Sequence, residues 1–331
     1  MTLHTRPATN PARLGLTLLM MAGLTACGGG GGSGGTLIGE EVARELFTQD
    51  GVYRVEWKSN LVDEPFTLTR DGVVVEGTMT DISNSRSQFR QIYVSNSEIK
   101  HTSCGDPGIY THTYDLEDLL GGKFLDDDPG SPGTCPSQQQ SARFAKLEEG
   151  SYKIEAMCSG RLWGELYITR LGTDLMYNGG HFEINTTAQQ FPNINATSGV
   201  CGNIYDIDVH YQYDQTLDSQ LLSDLGTDWK EHTISVAAEY AGVLMEIDID
   251  FSESPRVAKY TISQNYTPAA NEVHVYFTSR NLDSPEDTFI SVSATSGTVD
   301  ITEITQLTAR GTYDLQTEQG AFSGEFSIDL N

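Results

Sequence analysis

The chain is short of positive charge. Its 331 residues include 20 Lys and Arg, only seven of them Lys, against 46 Asp and Glu. That balance argues against nucleic acid and anionic lipid headgroups as partners of the folded body, because both would be repelled. Long apolar runs are missing too. The best stretch, Leu14 to Gly23, falls well short of the about 20 apolar residues that span a bilayer. Catalytic signatures are equally scarce: there is no C-x-x-C, no H-E-x-x-H and no G-x-x-x-x-G-K-[ST] phosphate loop. A G-x-S-x-G string occurs only inside a glycine run at 31–35, with no strand before it to build a nucleophile elbow. His101, His112, His181, His232 and His274 are scattered singly.

What is present starts at the N-terminus. Residues 1–26 hold Arg6 and Arg13 and no acid, and the apolar run contains Leu14, Leu16, Leu18, Leu19, Met20, Met21 and Ala22. A basic start before a short apolar segment is a secretory signal. Leu24-Thr25-Ala26-Cys27 follows at once. This tetrapeptide resembles the lipobox of bacterial lipoproteins, and the resemblance covers residues 1–27. It implies that the Cys27 thiol receives a diacylglyceryl group and that cleavage before Cys27 makes it the new N-terminus. Two or three acyl chains (palmitate, for instance), at about 0.8 kcal/mol per buried CH₂, anchor a protein durably. Gly28 stands where an aspartate would imply inner-membrane retention, so the same resemblance implies the outer membrane, on its periplasmic or its surface face. Gly28 to Gly35, interrupted only by Ser33, is a flexible tether with an r.m.s. span of about 15 Å.

The body beyond residue 26 keeps 18 basic and all 46 acidic residues, a formal charge of −28. Such a surface is compatible with basic partners, with divalent cations, or with solubility in salt water. Four cysteines remain: Cys104, Cys135, Cys158 and Cys201. An even number in an exported body predicts two disulfides, with three possible connectivities. Sequential pairing, Cys104 with Cys135 and Cys158 with Cys201, closes the shortest loops and is the expected one.

Hydrophobic periodicity divides the rest. Ile38, Val42 and Leu46, with Ala43 and Phe47, predict one short amphipathic helix. From Gly51 the period changes to two, predicting strands at 52–57, 66–70, 73–79, 88–95 and 97–103, with a hairpin turn at Asp71-Gly72. Residues 104–141 are rich in Gly and Pro and carry Asp126-Asp127-Asp128; a helical turn is expected at Tyr114–Leu120. Strands resume at Gly150. An echo links Gly51-Val-Tyr53-Arg-Val55-Glu56, Gly150-Ser-Tyr152-Lys-Ile154-Glu155 and, more weakly, Gly311-Thr-Tyr313-Asp-Leu315. It is read equally as duplication of a β-meander or as a recurrent way to begin a hairpin strand. Strands at 201–213 precede a polar, helix-like segment at 214–228, and about eight short strands follow from His232 to Leu330. Turns are expected at Ser252–Pro255, Thr267–Asn271, Ser284–Asp287 and Ser296-Gly297. The hairpins around Gly297–Thr302 and Gly324–Ile328 are similar, in a generic way, to those closing β-rich envelope lipoproteins.

The resulting fold class is all-β: antiparallel meander, barrel-like or sandwich modules with one short N-terminal helix. Its divisions are a signal peptide (1–26), a lipidated Cys and tether (27–37), a β-rich region with a disulfide-stapled loop (38–226) and a sandwich-like module (227–331). Asp206, Asp208 and His210, continued by Gln212 and Asp214, line one face of a strand and form a candidate Ca²⁺ or Zn²⁺ site. A solvated strand face is the plainer reading, and Glu246, Asp248 and Asp250 repeat the pattern. Asp126 to Asp128 lack the spacing of an EF-hand loop. Trp57, Trp163 and Trp229 offer either a sugar platform or core packing. No catalytic residue or cofactor is indicated. The leading expectation is a non-enzymatic envelope lipoprotein that binds a protein or glycan or serves structurally. The alternatives are a hydrolase of envelope or external polymers and a Ca²⁺-stabilised adhesin-like module.

Overall fold

The computed structural model describes residues 39–46, 51–70, 72–95, 98–103, 112–115, 140–173, 179–225, 228–281 and 289–331. The lipobox, the tether, Cys104, Cys135, Asp126 to Asp128 and the turn expected at Ser284–Asp287 lie outside them. Antiparallel strands make up almost all of the described chain, with two short helices, and none of its helices is long and apolar enough to cross a membrane.

The helix expected near residue 40 is α1 (Glu40–Leu46), which buries Ala43 and Leu46. Glu45 on its outer side accepts from Lys146 Nζ at 2.6 Å and from the Tyr152 hydroxyl at 3.2 Å. Those partners belong to β7 (Gln140–Glu148) and β8 (Ser151–Cys158), a hairpin that continues through β9 (Arg161–Gly172) to β1 (Val52–Lys58) and β4 (Asn84–Ser95). Beyond β4 the sheet forks. The far half of β4 pairs with β5 (Glu98–Ser103), which pairs with β6 (His112–Asp115). Its near half, residues 84–87, pairs with β12 (Val200–Tyr213). The hairpin of β2 (Leu61–Arg70) and β3 (Val73–Asp81) joins the opposite end of β12, where Met79 faces Tyr211.

From β12 the ladder runs through β13 (Asp228–Tyr240), β14 (Val243–Phe251), β16 (Glu272–Asn281), β17 (Ile290–Ile304), β18 (Thr308–Thr317) and β19 (Gly320–Asp329), and then back to β10 (Gly180–Thr186). Two short strands complete it: β11 (Ile194–Ala196) beside β10, and β15 (Ala258–Ile262) wedged between the ends of β16 and β17. The helical segment before β13 is α2 (Ser219–Leu225). Alternate residues of this ladder, such as Ile184, Ile234, Ile247, Val275 and Leu315, are fully buried in one core. Phe277 on β16 stacks on Phe322 on β19 with centroids 4.3 Å apart, and Phe191 meets Phe322 edge-on at 5.2 Å. Strands β16 and β19 are not neighbours in the ladder. The curled sheet therefore faces itself across the core, as the two layers of a sandwich do. Its ends come close, since a Cβ on Gly180 would lie 3.2 Å from Val200 Cγ1. No ladder joins β10 to β12 among the described residues, so the sheet is not a closed barrel.

Several local expectations are revised. Ser296-Gly297 is not a turn. Strand β17 continues through it in register with β18, its bulge lying just before, at Thr295, and Gly297 takes φ +124° with its Cα against the Asp314 carbonyl, where no side chain fits. Tyr114 lies in strand β6 rather than in a helical turn. The echo extends to topology in two of its three copies: β8 lies between β7 and β9 and β18 between β17 and β19, whereas β1 pairs with β4 and β9. What the three copies share is local, since Tyr53, Tyr152 and Tyr313 are all buried two residues after the glycine. Seven strands follow residue 227 among the described residues, and β17 alone has 15 residues. Strands β7, β10 and β11 were not anticipated. The division expected at 226–227 falls between α2 and β13 and lies outside the described residues.

The sequential disulfide pairing is corrected by register. Cys158 ends β8 opposite Arg161, while Cys201 begins β12 opposite Ala237. Carried across β9, β1 and β4, the registers place Cys158 level with residue 210 of β12, four strands away and about 30 Å along the strand direction from Cys201. A disulfide needs Cα atoms within about 7 Å. Both cysteines are disulfide-bonded, and they are not each other's partners.

Candidate functional site

The strand carrying Asp206, Asp208 and His210 is β12, and the structure gives each of them a cross-strand partner on β13. Asp206 lies opposite His232, Asp208 opposite Lys230, and His210 opposite Asp228. His232 Nδ1 is 2.8 Å from Asp206 Oδ1, Lys230 Nζ is 3.1 Å from Asp208, and His210 pairs with Asp228. Hydrogen-bonded or oppositely charged partners directly across an antiparallel ladder stabilise it by about 0.2–1 kcal/mol per pair. The three groups thus alternate with their partners and do not converge, so the metal site expected at Asp206, Asp208 and His210 is replaced by a ladder of pairs that pins the β12–β13 register.

Asp206 is also the half-buried end of a polar seam that runs inward to Arg86. Ser254 donates to its Oδ1 at 2.7 Å. Across β4, Arg86 is buried, and its Nε lies 3.7 Å from Glu56, which pairs with Arg54 at 2.8 Å. Burial opposes the charge on Asp206, but hydrogen bonds from His232 and Ser254, together with the charges of His232 and Arg86, outweigh it and hold the carboxyl below its ordinary range. Burial also pushes the Arg86 guanidinium down from its usual value. Ser254 and His232 both bond the same Asp206 oxygen. A serine nucleophile needs its histidine as the direct partner, and here the carboxylate stands between them. The seam reaches the end of the chain, where Arg54 Nη1 donates to the Leu330 carbonyl at 2.9 Å and Gln88 Nε2 donates to the Asp329 carbonyl at 3.2 Å.

Glu246, Asp248 and Asp250 do not form a solvated face. Asp248 is 1 % exposed, and it accepts from Ser235, while Asp250 accepts from Thr233 at 2.9 Å. His274, on the next strand, is also buried, with Tyr266 against its ring at 4.5 Å. The tryptophans are packing groups. Trp163 and Trp229 lie with Tyr205 and Tyr211 on Leu61, Met79, Ile207 and Val209, and Trp57 covers Gly164.

One constellation went unnoticed in the sequence. His181 and Glu183 on β10 and Glu325 on β19 each bring a ligand atom within 4.8 Å of the others. His181 Nδ1 is 3.2 Å from Glu325 Oε1, and His181 Nε2 is 3.2 Å from Asn195 Oδ1 on β11. The members lie 142 residues apart between Glu183 and Glu325, so no spacing rule could join them. The one available signal was the alternation His181-x-Glu183 before Asn185, in a strand that was missed.

No family model matches this chain, and no curated protein matches it. Among solved structures, a mutant of the vaccine antigen transferrin binding protein B from Haemophilus parasuis is similar at 9 % identity over 85 % of this chain and 76 % of that one, with a TM-score of 0.16. Intact Ap-TbpB, with N and C lobes, aligns at 8 % identity over 86 % of this chain and 77 % of that one, with a TM-score of 0.12. Chains that superpose this poorly do not define a common fold.

Proposed function

We infer that the protein is a lipid-anchored outer-membrane component whose β body binds an envelope protein or glycan or braces the envelope, and that it is not an enzyme. The observation that carries this reading is the filled interior of the curled sheet. Phe182, Phe277, Phe322 and their neighbours pack it with side chains, so small molecules have no lumen to enter there. Partners are left with the outer faces, loops and strand edges. The ladder pairing of Asp206, Asp208 and His210 supports the same reading, because groups held this way by a neighbouring strand position backbone rather than substrate. The Cys27 anchor and the glycine tether would present that surface a short distance from the lipid.

Crosslinking in intact cells, followed by purification and mass spectrometry, tests the reading. The expected result is one stoichiometric envelope protein or a bound glycan. Recovery of the chain alone, together with hydrolysis of an envelope polymer by the purified protein, would overturn it. The anchor is tested separately: Cys27→Ala is expected to move the protein to the soluble envelope fraction, and unchanged membrane retention would refute lipidation at Cys27.

A further inference from the structure

We propose that His181, Glu183 and Glu325 form a binding site for a divalent transition metal of the Zn²⁺ class on the outer wall of the curled sheet. Register brings the ligands together. Phe182 faces Phe326 and Asn185 faces Ser323, which sets Glu183 opposite Glu325 across the β10–β19 ladder. Two carboxylates directly opposed in a ladder repel each other, and a cation between them turns that repulsion into attraction. The histidine adds a second indication. Asn195 Oδ1 accepts from the Nε2–H of His181 at 3.2 Å, which leaves the lone pair of the neutral ring on Nδ1. That nitrogen faces Glu325 Oε1 at 3.2 Å. Two acceptors at this distance are unfavourable together unless a proton or a metal ion lies between them. Ligand atoms on a tetrahedral Zn²⁺, at about 2.0–2.2 Å from the ion, lie some 3.3–3.5 Å apart, and the His181–Glu325 spacing of 3.2 Å falls just short of that range. Glu183 offers a ligand atom within 4.8 Å of both, and Asn185 Nδ2 donates to its Oε1 at 2.5 Å.

The arrangement also has the supporting contact usual for a metal-bound imidazole, since the other ring nitrogen is held by a carbonyl oxygen and the ring is oriented in advance. One imidazole and two carboxylates favour Zn²⁺ and its neighbours over Ca²⁺, which takes six to eight oxygens. The side chain of Glu325 is 56 % exposed and that of His181 24 %, so water can complete the coordination. The site is distinct from the pairs of β12 and β13, and it would clamp β10 to β19.

Isothermal titration of the detergent-solubilised mature protein with ZnCl₂ at pH 7.5, and with CaCl₂ in parallel, tests the proposal. One Zn²⁺ equivalent is expected, weakened at least tenfold in each of His181→Ala, Glu183→Gln and Glu325→Gln and unchanged in His210→Ala. Melting in chelator provides a readout independent of binding. Glu325→Gln is expected to melt higher than the parent without metal, because the opposed charges are relieved, and to lose the Zn²⁺-induced rise that the parent shows. Zn²⁺ binding equal to the parent's in His181→Ala or Glu325→Gln would overturn the site. So would the absence of stoichiometric binding in the parent.

Discussion

Truncating Phe322 to alanine tests whether the curled sheet faces itself across one core. The Phe322 side chain is fully buried, stacked on Phe277 and edge-on to Phe191. A buried Phe→Ala change costs about 3–5 kcal/mol through lost transfer energy and the cavity left behind. At about 2–4 °C per kcal/mol for a body approaching this size, the midpoint should fall by roughly 6–20 °C. A double-mutant cycle with Phe277→Ala isolates the cross-layer contact. Stacked pairs are worth about 0.5–1.5 kcal/mol beyond their area, and the shared cavity adds to the coupling. Urea unfolding of the four proteins, followed by circular dichroism and tryptophan fluorescence, supplies the energies, with Val257→Ala at a 60 % exposed position as the control expected within about 0.5 kcal/mol of the parent. A loss below about 1 kcal/mol for Phe322→Ala, or strict additivity with Phe277→Ala, would show that β16 and β19 do not meet across the interior.

Other consequences can be measured in the same way. The carboxyl of Asp206 has a depressed folded pKa, so the stability it contributes is complete above its unfolded value of about 3.9 and vanishes as pH falls through the lower folded value. Urea midpoints of the parent and Asp206→Asn should therefore differ steadily from pH 7 to pH 5 and converge below pH 4; a gap that widens on acidification refutes the assignment. Gly297→Ala places a Cβ on the Asp314 carbonyl at a φ of +124° and should cost about 1–3 kcal/mol, whereas an unchanged melting temperature would mean that β17 and β18 do not approach this closely at Gly297. Non-reducing peptide mapping is expected to recover Cys158 and Cys201 in separate disulfide-linked peptides. A peptide linking Cys158 to Cys201 would contradict the strand registers.

Most strands could be read from the sequence because period-two alternation is a local property. Val52-Tyr53-Arg54-Val55 announces its buried side without reference to any partner, and Tyr53 and Val55 are indeed buried. Partners could not be read this way. Strand β10 pairs with the last strand of the chain, and its alternation is only seven residues long between polar stretches. The acidic stripe of β14 resembled a solvent face because Asp248 and Asp250 are charged, yet Ser235 and Thr233 across the ladder satisfy them. Alternation identifies two faces of a strand and leaves open which of them is covered. The turn expected at Ser296-Gly297 is a strand for a related reason: a glycine with positive φ ends a strand or admits a close neighbour, and only Leu315 and the Asp314 carbonyl on β18 decide between the two. The lone histidines were harder still, since His181 acquires meaning only beside Glu325.

The late pairing of the chain's first strands with its last bears on how it would fold if exported as proposed. Arg54 bonds a carbonyl 276 positions later, and β10 waits for β19, the final strand. A polypeptide threaded through a secretion pore from its N-terminus exposes β1, β4 and β10 long before their last neighbours arrive. Contacts so distant in sequence form slowly, and unpaired strand edges invite aggregation in the meantime. On the export proposed above, those early strands would need shielding until their last neighbours arrive, and a version lacking β18 and β19 is expected to be degraded rather than to accumulate in part-folded form.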